Sequence, residues 1–225
     1  MKESAKQKKH PQIDESYRQL GGEFYDEQTK SINPLRAWFH TSRHRLVGRC
    51  VMRNYKKGMK IADFGCGNCV WNTKGLNVTG IDINEEMMKH AKKMGRISEY
   101  CICDLNATPL KGNSMDIVVI SETLEHIPDY MKTIAEVRRV LKKGGVVIAT
   151  VPYDTNLSLW KPLFAVQCFI QGTVKGDPYY KKQCGHINHF SPSSIRKGFE
   201  RAGFSVERQF DNKRFTIFTI ARKPK

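Results

Sequence analysis

Short apolar runs at about 60–64, 77–82, 98–102, 115–120 and 146–151 recur along the chain, separated by stretches with helical spacing. Runs of that length, rich in Val and Ile, read as buried strands, and their alternation with helices predicts a doubly wound, mostly parallel sheet. One well-marked helix carries Ile134, Val137, Val140 and Leu141 on one face and stops at Gly144-Gly145. The alternation ends after Val151. A helix over 194–202 and a hairpin of Ser205 to Phe210 with Phe215 to Ala221 then close the sheet. The result is a seven-stranded α/β architecture with an antiparallel last strand and helices on both faces.

Residues 1–19 are polar and Lys-rich and predict a disordered basic arm. Residues 20–55 follow a helical pattern broken at Asn33-Pro34 and read as cover helices over the domain of residues 56–225, with Tyr25, Trp38 and Phe39 either in the core or lining a cleft. One segment of that domain departs from the alternation. From Tyr153 to about residue 185 the chain inserts a stretch whose first half, with Leu157, Leu159, Trp160, Leu163, Phe164, Val166, Phe169 and Ile170, is strongly apolar.

The first two strands carry the most specific chemistry. Ile61-Ala62-Asp63-Phe64 leaves the sheet through Gly65-Cys66-Gly67-Asn68, a turn without Cβ obstruction that lets a ligand approach the backbone. Val78-Thr79-Gly80-Ile81-Asp82 ends in a carboxylate placed to accept both hydroxyls of a ribose. The dinucleotide pattern Gly-x-Gly-x-x-Gly fails, because Val70 stands at its third glycine. What remains is Asp-x-Gly-x-Gly from Asp63 to Gly67, which resembles the first motif of the class I S-adenosylmethionine-dependent methyltransferases. Further landmarks of that family follow in order. Cys103-Asp104-Leu105 comes after the third strand, Ser121 to Asp129 after the fourth is similar to ubiquinone-type O-methyltransferases and their small-molecule relatives, and His186-Ile187-Asn188-His189-Phe190-Ser191-Pro192 precedes the last helix.

The resemblance implies a Rossmann-like fold, S-adenosylmethionine as cofactor and S-adenosylhomocysteine as product. It implies that Gly65 and Gly67, with Cys66 between them, pass beside the methionine part, that Asp63 orients its ammonium group, that Asp82 takes the ribose and that Asp104 accepts from the adenine amino group. Ile83, Leu105 and Ser121 complete the cofactor set. Two departures stand out: Cys69 occupies a position where many relatives have a small residue, and the stretch from Gly67 to Asp82 is short, so the first helix is expected to be trimmed by about one turn. The insertion at 153–185 becomes a cap on the acceptor side. It reads either as a lid or membrane-touching helix that admits an isoprenoid or other lipid-linked acceptor, or as a helix pair that packs on the sheet or forms a dimer interface.

Methyl transfer from a sulfonium needs alignment and exclusion of water more than covalent help, and an oxygen acceptor also needs a base. His126, just past the fourth strand, is the first candidate, with His186 and His189 as competitors. Glu122, Glu125 and His126 can hold a divalent cation in the manner the ubiquinone-type resemblance allows, but carboxylates also suit a helix start. Cys66 and Cys69, with Cys101 and Cys103, have spacing usable for zinc, yet each has an ordinary structural place. No metal ligand is assigned.

Composition adds two constraints. The net charge of +16 predicts attraction to an anionic partner: RNA, an anionic membrane or a phosphorylated lipid. The absence of a long apolar stretch and the odd count of seven cysteines fit a cytoplasmic protein in a reducing compartment, with membrane association left open. The reading is a methyltransferase acting at oxygen on a small-molecule or lipid-linked acceptor. Two alternatives remain: an RNA methyltransferase, supported by charge alone, and a non-catalytic cofactor-binding subunit that supports a partner enzyme. The sequence leaves the oligomeric state unknown.

Overall fold

A computed structural model describes residues 15–176, 178–181 and 186–225. Its strands are β1 (Ile61–Phe64), β2 (Val78–Asp82), β3 (Glu99–Ile102), β4 (Met115–Ser121), β5 (Leu141–Pro152), β6 (Ser205–Asn212) and β7 (Thr216–Arg222), in the order β3-β2-β1-β4-β5-β7-β6. The first five pair in parallel, and β7 runs antiparallel to both β5 and β6. The order reverses beside β1, so a crevice opens at the carboxyl ends of β1 and β4, the usual ligand position in an open α/β sheet.

Alternate residues of each strand point to opposite faces, and two cores result. On one, Ala62, Phe64, Val118 and Ile120 pack with Ile134 and Val137 of α5 (Tyr130–Val140) and Ile195 and Phe199 of α8 (Pro192–Arg201). On the other, Ile61, Ile117, Val119 and Ile148 pack with α3 (Pro34–Asn54) and α4 (Glu85–Lys93). The long α3 begins where the Asn33-Pro34 break was expected, because the Asn33 side chain accepts from the backbone N–H groups of Leu35 and Arg36 and Pro34 fits a first helical turn. The remaining helices are α1 (Glu15–Arg18), α2 (Phe24–Thr29), α6 (Trp160–Cys168) with a π-helical extension over Phe169–Val174, and α7 (Pro178–Lys181).

Four expectations need correction. The trimmed first helix does not form at all: residues 65–77 are turns, with positive φ at Gly65, Gly67, Cys69 and Gly75 breaking any helical run. Trp71 and the α3 residues Val47, Cys50 and Val51 cover that face instead, and buried Asn72 ties the loop down by donating to the carbonyls of Leu76 and Arg96. Part of the basic arm is ordered, since Glu15–Arg18 is helical and Tyr17 reaches the sheet; residues 1–14 lie outside the described residues. Trp38 lines neither cavity described below, but packs edge-to-face on Phe215. Finally, α5 ends at Val140, and Leu141 already pairs with Met115 before a bulge, so Gly144-Gly145 lies inside β5.

Candidate active site

The glycine turn after β1 is held by the strand beside it. The N–H groups of Gly65 and Cys66 both donate to the Ile81 carbonyl, at 2.7 and 3.1 Å, and the Gly67 N–H donates to Asp82 Oδ2 at 2.7 Å. Neither glycine is replaceable without strain. Gly65 has φ +71° and a Cβ there would lie 2.5 Å from Thr123, while Gly67 has φ +47° and a Cβ would lie 2.9 Å from the Tyr25 ring.

Asp82 is buried and fully engaged. Its Oδ1 accepts from the N–H groups of Ile83 and Asn84, and its Oδ2 accepts from Gly67 and from the Tyr17 hydroxyl at 3.2 Å. Four donors fill the capacity of a carboxylate, so a ribose hydroxyl that reaches Asp82 must replace Tyr17. Burial raises the Asp82 carboxyl, and the donors around it offset part of that rise. Asp63 is equally buried and accepts from Trp71 Nε1 at 2.7 Å and from the Cys69 thiol at 3.3 Å. Burial, with a contribution from the neighbouring Asp82 charge, raises its carboxyl to about 7 despite those donors.

A cleft along the carboxyl ends of β1, β2 and β4 is lined by all nine cofactor candidates: Asp63, Gly65, Cys66, Gly67, Asp82, Ile83, Asp104, Leu105 and Ser121. Tyr17, His44 and Trp71 also line it, and sequence reasoning missed them. A small network holds its outer wall: Asp26 of α2 accepts from both terminal nitrogens of Arg96, at 2.7 and 3.0 Å, and from Asn68 at 3.1 Å. That network fixes Tyr25, the residue before Asp26, against the glycine turn. Cys66 donates to the Gly67 carbonyl and Cys69 to Asp63, and burial pushes both thiols up.

A second cavity, of about 490 Å³, adjoins the first, and Tyr25, Arg43, Glu122 and His126 belong to both. Its far wall is aromatic: Trp160, Phe164 and His186 stack with interplanar angles of 15–17°. His186 arrives there because the N–H groups of Ile187 and Asn188 both donate to the Glu125 carbonyl, while the Asn188 side chain donates to the carbonyls of Leu124 and Ile127. The His126 and His186 rings consequently meet at 4.8 Å. Burial, then the positive charge of neighbouring histidines, pulls His186 down to about 3, so it is neutral across the physiological range.

His189, three residues on, lies outside both cavities with Nδ1 against the Asp154 carboxylate. Glu122 stands at positive φ (+51°), accepts from Thr150 Oγ1 at 3.0 Å and pairs with Arg43 at 3.4 Å. Glu125 is the exception in this polar set. It is 1 % exposed, neither carboxylate oxygen has a hydrogen-bond partner, and burial together with the Glu122 charge holds its carboxyl well above the usual range. Among the described residues, Glu125, His126 and His186 bring one ligand atom each to within 4.8 Å of one another. A carboxylate and two imidazoles suit a divalent cation, and an orphaned buried carboxyl is the group such an ion would satisfy.

Residues 62–149 match the family described as the methyltransferase domain. Demethylmenaquinone methyltransferases of Staphylococcus aureus strains are 28 % identical over 195 residues, covering 78 % of this chain and 81 % of theirs. Among solved structures, an S-adenosylmethionine-dependent methyltransferase of Methanosarcina mazei superposes with a TM-score of 0.58 at 22 % identity, covering 78 % of this chain and 97 % of that one. Another, from Aquifex aeolicus, superposes with a TM-score of 0.57 at 18 % identity, covering 86 % and 100 %.

Proposed function

Because the chain belongs to the class I S-adenosylmethionine-dependent methyltransferases, we propose that it methylates a hydroxyl oxygen on a ring-bearing, largely apolar acceptor seated in the second cavity, with His126 as the base. The observation that carries this reading is the position of His126. It is the imidazole shared by the cofactor cleft and the aromatic cavity, at the junction where a methyl group passes from one to the other.

The acceptor class follows from the walls. A stack of three parallel rings offers a flat face to a planar ring, and Phe39, Phe215 and Leu163 add apolar surface around it. A quinone-type nucleus of the kind named for the Staphylococcus aureus relatives fits that description. In the transfer, the oxygen forms a bond to the methyl carbon as the carbon–sulfur bond breaks. The sulfonium becomes a neutral thioether, and the hydroxyl proton passes to His126. The positive charge thus passes from the sulfonium to the His126 imidazolium, and the total charge of the site is unchanged. Were Glu125, His126 and His186 to hold a divalent cation, His126 would be engaged as a ligand and the cation would take the place of the base by lowering the pKa of the acceptor hydroxyl.

The test is transfer of a labelled methyl group to a panel of hydroxylated ring compounds with and without isoprenoid tails, run beside total tRNA. Label on the oxygen of a ring compound is expected, and His126→Ala should lower kcat by about 10²- to 10⁴-fold while cofactor affinity stays within about threefold. Label in RNA, or full turnover by His126→Ala, overturns the reading.

A further inference from the structure

The cap helix is apolar toward solvent as well as toward the cavity. Over α6 and its π-helical extension the exposed positions fall at 161–163, 165–166, 169–170 and 173–174, the spacing of one helical face. That outer face is apolar: Leu163, Val166, Phe169, Ile170 and Val174 are all exposed, Phe169 by 61 % and Val174 by 68 %. The inner face mixes the cavity's aromatic wall, Trp160 and Phe164, with Gln167 and Gln171, and Gln167 donates to the Tyr180 hydroxyl at 3.3 Å, while Leu163, Val166 and Ile170 stand at the cavity's rim. A surface helix in water turns polar side chains outward. Leu157 and Leu159, at the entry to the helix, are also exposed.

The charge around this face decides what covers it. From Thr155 to Gly176 the chain has no acidic residue. Exposed Lys161 and Lys175 bracket the helix, Lys161 being paired with Asp154, and the hairpin turn of Lys213 and Arg214 abuts it through the Leu159 N–H bond to the Arg214 carbonyl. A second copy would bring two molecules of charge +16 together along basic rims, which Coulomb repulsion opposes. Among the described residues no helix is long and apolar enough to cross a membrane, so the helix lies on a surface rather than through it.

We infer that the outer face of residues 157–174 docks on a lipid bilayer with anionic headgroups, the apolar side chains entering the headgroup–acyl boundary and the flanking Lys and Arg meeting the phosphates. The same helix is a wall of the second cavity, so docking brings that cavity to the membrane surface, where an acceptor with an isoprenoid or acyl tail resides. Surface binding does not depend on which acceptor is methylated.

The experiment is co-sedimentation of the full chain with phosphatidylcholine vesicles, with and without phosphatidylglycerol. Binding is expected to require phosphatidylglycerol and to weaken as salt rises. The double variant Phe169→Asp/Val174→Asp changes two exposed side chains that line neither cavity and should cut vesicle partitioning about tenfold or more, with cofactor affinity and thermal melting unchanged. The inference is overturned by absence of binding to phosphatidylglycerol vesicles or by binding that the double variant retains. It is equally overturned by a concentration-dependent dimer in sedimentation velocity that the double variant dissolves, since a second copy then covers the face.

Discussion

The two cavities that meet at His126 are finished to different degrees. On the cofactor side, Asp82 has all its acceptor sites filled by Gly67, Ile83, Asn84 and Tyr17, and the Asp26–Arg96 pair clamps the turn from outside. On the acceptor side, Glu125 is buried with neither oxygen hydrogen-bonded and only His126 Nε2, 3.8 Å from Oε1, near it, and Glu122 holds a left-handed backbone conformation beside it. A wall whose polar groups satisfy one another keeps its shape without a ligand. A buried carboxyl without hydrogen bonds costs free energy until something arrives to use it. The contrast teaches that the first cleft is finished in advance, whereas the second leaves a buried carboxyl for a ligand to complete.

The strongest way to break the comparison is Asp82→Ala. The side chain both organises the Gly67 turn and stands where the ribose would bind, so its loss removes more than one hydrogen bond to a charged acceptor, roughly 1.5–3 kcal/mol each. Cofactor affinity measured by calorimetry should fall by about 100-fold or more. An unchanged Kd would mean that the prepared cleft is not the cofactor site.

Glu125→Gln sharpens the other half. Burial raises the folded-state pKa of Glu125 above its unfolded value, so the stability tied to its protonated form is complete below the unfolded pKa, roughly pH 4.3, and is lost as pH rises through the folded pKa. Glutamine copies the neutral form at every pH. In the presence of a chelator the variant should be more stable than the parent at pH 8 by about 1–3 kcal/mol, a rise in Tm of several degrees, with the gain vanishing near pH 4. If calorimetric melts show the same difference at both pH values, the carboxyl is not held as described. Adding a divalent cation should stabilise the parent and not the variant if Glu125, His126 and His186 hold one together.

The same contrast governs what could be read from the chain. The strands and the lining of the first cleft were legible because their signals are local: a glycine turn two residues after Asp63, and an aspartate at the tip of the next apolar run. The acceptor side depends on contacts far apart in sequence. Nothing local says that His186 rather than His189 turns inward; that follows from backbone bonds of Ile187 and Asn188 to Glu125. Tyr17 was hidden for a related reason. It lies in a polar, Lys-rich stretch whose composition reads as disordered, and its order comes from tertiary bonds, its own to Asp82 and those of the Asn84 side chain to the carbonyls of Tyr17 and Leu20. The missing first helix was misjudged because residue spacing gives length, whereas positive φ at Cys69, a non-glycine, appears only in the fold.

The smallest expected effect probes the first cleft at the carboxyl of Asp63. Asp63 titrates near 7 without cofactor, because burial outweighs the donation from Trp71 and Cys69. A bound ammonium and sulfonium favour the carboxylate, so binding lowers that pKa and expels a proton from the fraction of molecules that carry one. At pH 7 this amounts to about half a proton per cofactor, and affinity should fall by up to about tenfold per pH unit below 7. Calorimetry in buffers of different ionisation enthalpy reads the proton directly. Asp63→Asn keeps an acceptor for Trp71 but has no proton to release, so its binding enthalpy should be independent of buffer. A buffer-dependent enthalpy that survives in Asp63→Asn would place the proton elsewhere, the raised carboxyl of Asp82 being the next group to test.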